Sequence, residues 1–421
     1  MKRAGMTLLT GVFGLLAPSP SATADVNVST YLNDNARTGQ NLAETVLTPT
    51  QVASGAFGLR FFHTVDGYVY AQPLYVSHVN MPGKGVHNVV FVATEHDTVY
   101  AFDADSNQGT NAAPLWQVSL LGTGETSVPY PDTLTDDIVS EVGITGTPVI
   151  DVASQTLYVV SKSRHVAGGG AKTYFQRLHA LSLGTGQEKL GGPVDVDATI
   201  TVPGNGDGSV SGQVPFDVLK EGQRCGLVLS KGIVYVSWAS HGDNGPYHGW
   251  VIGFKASDIR QRAGLYNSTP DGGLGGIWQA GAAPAVDSQG FLYFATGNGT
   301  FSVDSGGQDY GDSLVKLNTT GGLTLDDYFT PLNQDALNSA DQDFGSGGVT
   351  ILPDQGAPAR TCMVCQFRHD PLGRATACRY FMHGVAGLAV GGRICHVVHH
   401  GGRNPREVVR LPHVPKHPNA L

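Results

Sequence analysis

The sequence predicts an all-β fold, a β-propeller of four-stranded antiparallel blades, and three observations predict it. A module of short strands recurs four times between residues 70 and 317. Its strands are apolar and rich in β-branched and aromatic residues, with polar turns between them. Charged residues make up only 14% of the chain and glycine numbers 57, which suits many short strands joined by tight turns. A module of this size cannot bury both of its faces alone, so neighbouring copies must stack.

The first copy places strands at Tyr70–Val76, Val89–Thr94 and Thr98–Asp103. The second places them at Ile144–Ile150, Leu157–Ser161 and Arg177–Leu181. Gly226–Leu229, Ile233–Ala239 and Trp250–Phe254 make the third, and Ala282–Asp287, Phe291–Thr296 and Ser313–Leu317 the fourth. A broken fifth opens at Phe344–Asp354. Trp116–Leu120 is the clearest outer fourth strand, Tyr328-Phe329 opens another, and Phe57–Val65 reads as a strand ahead of the first copy. Four copies and a fragment predict an incomplete ring, with exposed blade faces and an aggregation hazard.

Between third and fourth strands the copies share a turn. Ala180-Leu-Ser-Leu-Gly-Thr-Gly186 shows it in full, and Ala101-Phe-Asp-Ala-Asp-Ser-Asn107 begins it. Short polar side chains and the glycine let the backbone reverse, and the large apolar residue beyond packs between blades. This signature resembles the repeat of the PQQ-like (pyrroloquinoline-quinone-enzyme-like) β-propeller family. Asp66–Tyr75, Val90–Asp97 and Ser240–Trp250 look like an exported bacterial subgroup of unassigned activity within it. The resemblance covers roughly residues 28 to 356. In the quinoprotein enzymes of that family a vicinal disulfide and a tryptophan sandwich the quinone, and calcium is held by a carboxylate, an amide and a catalytic aspartate. This chain has no adjacent cysteines, and no such ligand set carries over residue by residue.

The ends differ from the middle. Residues 1–24 read as a signal peptide: Lys2 and Arg3, the apolar run Met6–Ala17, and a small-residue cleavage site at Ala22-Thr23-Ala24. The run falls short of the ~20 residues of a membrane span, so a secreted or periplasmic product is expected. Residues 25–56 form a polar lead-in and 57–360 the repeats. Residues 361–421 hold four of the five cysteines, seven of the 15 histidines and a net charge of +6, against −15 for the rest. Cys362-Met-Val-Cys365 has zinc-knuckle spacing, but no second pair follows. The preferred reading is an out-of-frame or disordered tail. The whole-chain charge of −9 argues against nucleic acid as a partner.

Candidate chemistry gathers in loops. His241-Gly-Asp-Asn-Gly-Pro-Tyr-His248 offers His241, Asp243, Tyr247 and His248 as ligand-binding groups, and Glu95-His96-Asp97 offers His96 and Asp97 at the equivalent place in the first copy. The plainer alternative is capped turns with histidines bonded to carbonyls. Asp132, Asp136, Asp137 and Glu141 could do acid–base work or hold calcium, or form a solvated loop. No catalytic set, metal site or cofactor is assigned. The expected function is a non-catalytic binding or scaffold module for protein or glycan at one propeller face. The alternative is a quinoprotein-like oxidoreductase with PQQ and calcium in the axial channel.

Overall fold

A computed structural model describes residues 26–353, apart from 46 and 56, together with the backbone of two strands at 363–369 and 375–382. The fold is all-β, with only two short α-helices, Pro49–Ala53 and Gln334–Ser339. Blade 1 pairs β1 (Leu74–Met81), β2 (Gly85–Ala93), β3 (Thr98–Asp103) and β4 (Trp116–Ser119) in that order, all antiparallel. The connection to blade 2 carries β5 (Glu125–Pro129) and β6 (Glu141–Val142). Blade 2 itself is β7 (Val149–Asp151), β8 (Thr156–Val166), β9 (Lys172–Ser182) and β10 (Val194–Asp195), and β5 extends its sheet by pairing with β8. A hairpin of β11 (Thr201–Pro203) and β12 (Gln213–Pro215), then β13 (Glu221–Gly222), lead to blade 3. Blade 3 is β14 (Val228–Ser230), β15 (Ile233–Ser240), β16 (Trp250–Lys255) and β17 (Asp258–Asn267). Blade 4 is β18 (Ala285–Val286), β19 (Leu292–Ala295), β20 (Leu314–Asn318) and β21 (Thr324–Phe329). The fifth sheet joins β22 (Val349–Thr350), β23 (Met363–His369) and β24 (Ala375–Met382).

Period-two alternation explains the stacking. Along β8, Leu157 and Val159 point into a core shared with Val89, Phe91 and Val99 of blade 1. Tyr158 and Val160 point the other way, into a core shared with Val234, Val236 and Trp238 of blade 3. The same division repeats between blades 3 and 4, where Tyr235 and Val251 meet Phe294 and Val315. Ala285, Tyr293 and Leu314 then meet Phe344, Val349 and Ile351 at the fifth sheet. Each aliphatic side chain buried this way contributes about 1.5–3 kcal/mol. The shared turn works as the sequence predicts. Gly186 has φ +69°, and a Cβ there would lie 2.7 Å from the Trp116 ring, whose Nε1 donates to Leu183 O at 2.7 Å. That glycine therefore serves both the backbone and the inter-blade tryptophan.

Two expectations need adjustment. Phe57–Val65 contains no strand; it runs as irregular chain over blade 1, with His63 stacked on Phe102 at 4.3 Å. The first strand of each blade is also shorter or later than predicted, because small-residue loops rather than strand approach the axis. The tail beyond residue 382, with Cys395, lies outside the described residues.

Candidate functional site

Loops leaving each second strand meet loops entering the next first strand at one end of the axis. Glu95 follows β2, and its Oε2 accepts from Gly143 N at 2.7 Å and from Thr145 Oγ1 at 3.1 Å on the way into β7. A Cβ on Gly143 would stand 2.2 Å from Glu95 O, so only glycine permits this approach. Asp97 accepts from Ser127 Oγ at 2.7 Å and from Lys162 N at 3.1 Å. Both carboxyls are buried, and the burial pushes Glu95 up to about 7 and Asp97 well above the carboxylate range.

At the centre of these loops lies Lys162. It continues β8 on the face of Tyr158 and Val160, yet is only 2% exposed. Its Nζ donates to Leu219 O at 2.7 Å, Glu221 O at 3.0 Å and His241 Nε2 at 2.7 Å. Desolvation lowers the Lys162 amine to about 7 and drives His241 well below its ordinary value, so the imidazole is neutral and accepts. Glu221 is buried beside them. Its Oε1 accepts from His248 N and Trp250 Nε1, both at 3.1 Å, while Oε2 has no hydrogen-bond partner, and its carboxyl is pushed well up by burial. Towards solvent, Arg224 lies 5.2 Å above the Trp278 ring, Tyr247 meets that ring edge-on at 6.0 Å, and Asp137 Oδ2 is 3.8 Å from Arg224 Nη1.

The six loop residues picked from the sequence fall into separate partnerships. His241 belongs to the Lys162 network and Asp97 reaches it through the Lys162 backbone. Asp243 accepts from the Tyr247 hydroxyl. His248 pairs with Thr269 Oγ1 at 2.9 Å through Nδ1, and its Nε2 contacts Asp207 O at 2.8 Å. His96 stands outside, bonded to Glu141 at 2.9 Å. The acidic run is likewise partnered: Asp132 binds Arg164 at 2.7 Å and Lys172 at 2.6 Å. Sequence reasoning passed over Lys162, Glu221, Arg224 and Trp278. A lysine extending the buried face of an apolar strand is a readable signal; Glu221 offers none.

The axis below these loops is filled. A Cβ on Gly226 would meet the Cβ atoms of Ala283 at 3.1 Å, Thr147 at 3.3 Å and Tyr31 at 3.4 Å. A separate cleft of about 420 Å³ opens between blades 1 and 2. Its Arg177 is held by Glu125 through two bonds of 2.7 and 2.8 Å, and its His179 bridges Ser161 and Glu188. Ser161 is 1% exposed, so that chain of bonds ties strands together.

No family model matches the chain, and no curated protein is similar to it. Solved structures are, among them two dehydrogenases. The quinohemoprotein alcohol dehydrogenase from Comamonas testosteroni is 16% identical over 85% of this chain and 49% of its own, with a TM-score of 0.49. A europium-containing methanol dehydrogenase is 15% identical over 85% of this chain and 56% of its own, with a TM-score of 0.53. The chain spans about half the length of these proteins. At such identity the likeness shows the fold alone, a β-propeller of four-stranded antiparallel blades. No helix among the described residues is long and apolar enough to cross a membrane.

Proposed function

We propose that this axial end is a small-molecule site, and that the chain works as an oxidoreductase of quinoprotein architecture rather than as a scaffold for protein or glycan. The sunken Lys162–His241–Glu221 network carries this reading. A docking face gains nothing from burying an amine lowered to about 7 beside the Glu221 carboxyl, itself pushed up by burial. Groups poised there suit proton transfer, and perturbed groups of this kind concentrate at reactive sites. Arg224 over Trp278 adds a cation and a flat aromatic surface where these loops meet solvent, which matches a planar anionic molecule.

The vicinal disulfide that stacks the quinone in quinoprotein enzymes has no counterpart at Cys225. No three His, Cys, Asp or Glu side chains among the described residues converge on a metal position. No step is assigned to metal or quinone. The described blades supply binding and proton-holding groups only. Export through the leader at residues 1–24 fits this reading, and N-terminal sequencing of the mature protein should begin at Asp25.

The test titrates purified protein with pyrroloquinoline quinone, with and without calcium or a lanthanide. Quenching of tryptophan fluorescence that is lost in Trp278→Phe, together with dye-linked alcohol oxidation, supports the oxidoreductase. If neither appears and a glycan or protein is retained instead, the scaffold reading replaces it.

A further inference from the structure

The lead-in crosses the whole array. Val28 pairs with Tyr75 of β1 in both directions, at 2.8 and 2.9 Å. Ser29 O accepts from Ile150 N of β7 at 2.8 Å. Asn35 donates from Nδ2 to Leu229 O of β14 at 2.9 Å and accepts at its carbonyl from Val286 N of β18 at 2.7 Å. Ala36 O then accepts from Ile351 N, just past β22, at 2.8 Å. The inner strands of four blades and the edge of the fifth sheet thus bind a stretch running from Val28 to Ala36.

Arg37 locks this strap in place. It is 2% exposed, and its Nε donates to Pro284 O at 2.9 Å. Its Nη1 reaches Thr30 Oγ1 at 2.9 Å, Tyr31 O at 2.8 Å and Asp34 O at 3.0 Å, folding the strap on itself. Beyond Gly39 the chain leaves the axis, and the described residues from Gln40 to Gly55 are all exposed.

We propose that the groove lined by the inner strands is a binding site for a peptide segment that enters as a β-bridge at Val28 and then folds into turns, filled in cis by residues 27–37. Inner-strand backbone groups read single backbone positions of the segment, its left-handed turn at Leu32 and Asn33 shapes it to the axis, and two polar anchors, Asn35 and Arg37, set its register. Among the described residues the covalent connection from the strap to the blades runs through the exposed stretch 40–55, so cutting there leaves the strap held by hydrogen bonds and packing alone.

The experiment places a specific protease site within residues 41–55 of the full chain and cleaves it. The cleaved strap is expected to co-elute with the blades on gel filtration. A fluorescent peptide of residues 25–40 is then expected to exchange into the groove. A competitor peptide carrying Asn35→Ala and Arg37→Ala should displace it about tenfold less well, the loss set by two missing buried bonds. Three results overturn the proposal: a strap that elutes away from blades retaining cooperative unfolding, blades that unfold on cleavage, or a peptide that is never taken up.

Discussion

Lys162 Nζ lies 2.7 Å from Nε2 of His241, joining blade 2 to blade 3 at the axial end without an ion pair. Both groups are deeply buried, so each is pushed towards its neutral form, and the contact survives as a hydrogen bond. Lys162→Ala would leave Leu219 O, Glu221 O and His241 Nε2 without this donor in a dry site. The expected loss is about 3 kcal/mol, read as a lower urea midpoint with an unchanged slope.

Stability should pass through a minimum near pH 7. Glu95 is raised from 4.5 to about 7 by burial, so across that window the folded chain keeps a proton that the unfolded chain has shed. Its contribution is present below pH 4.5 and lost as pH rises through 7. Asp312, raised by burial to about 7, adds to the same limb. Lys162 acts oppositely: lowered from 10.5 to about 7, it makes stability rise across that interval. Arg37, lowered by burial to about 9, adds only above that. Glu125 is lowered to about 2 despite burial, because Arg177 and Ser163 bind it, and it acts below both windows. Chemical denaturation from pH 4 to 10 should show the dip, and Glu95→Gln should flatten its acid side.

The Tyr158 hydroxyl donates to Ala256 O at 2.7 Å, a buried bond from blade 2 to blade 3. Tyr158→Phe keeps the ring in its core and strands the carbonyl. A loss of about 1–2 kcal/mol is expected in calorimetry.

Phe57, Leu59 and Phe62 are 62%, 85% and 74% exposed on the irregular run over blade 1. Such a patch drives self-association. Replacing the three by serine should lower the apparent mass in light scattering at high concentration and leave the unfolding midpoint almost unchanged.

The repeat was legible because each strand pairs a run of β-branched residues with a turn glycine. Thr98–Asp103 falls on β3 end to end, and Trp250 opens β16 as read. Phe57–Val65 misled because its apolar residues carry no partner strand to bind. The candidate loops were found, but the residue that organises them was not. Its signal lay in spacing: Lys162 continues the alternate positions of Tyr158 and Val160, the face that β8 buries. The strap was hidden for a different reason. Its bonds are mostly backbone bonds, which leave no composition behind, and its partners lie up to Ile351.

That span governs the order of assembly. Residues 28–37 are made early, yet the last donor to their carbonyls, Ile351 N, is made more than 300 residues later. Contacts so distant in sequence pay their loop-closure entropy late and slow the rate-limiting step. The nascent chain therefore carries a partly satisfied leading segment until the fifth sheet emerges, and only then can the hub set.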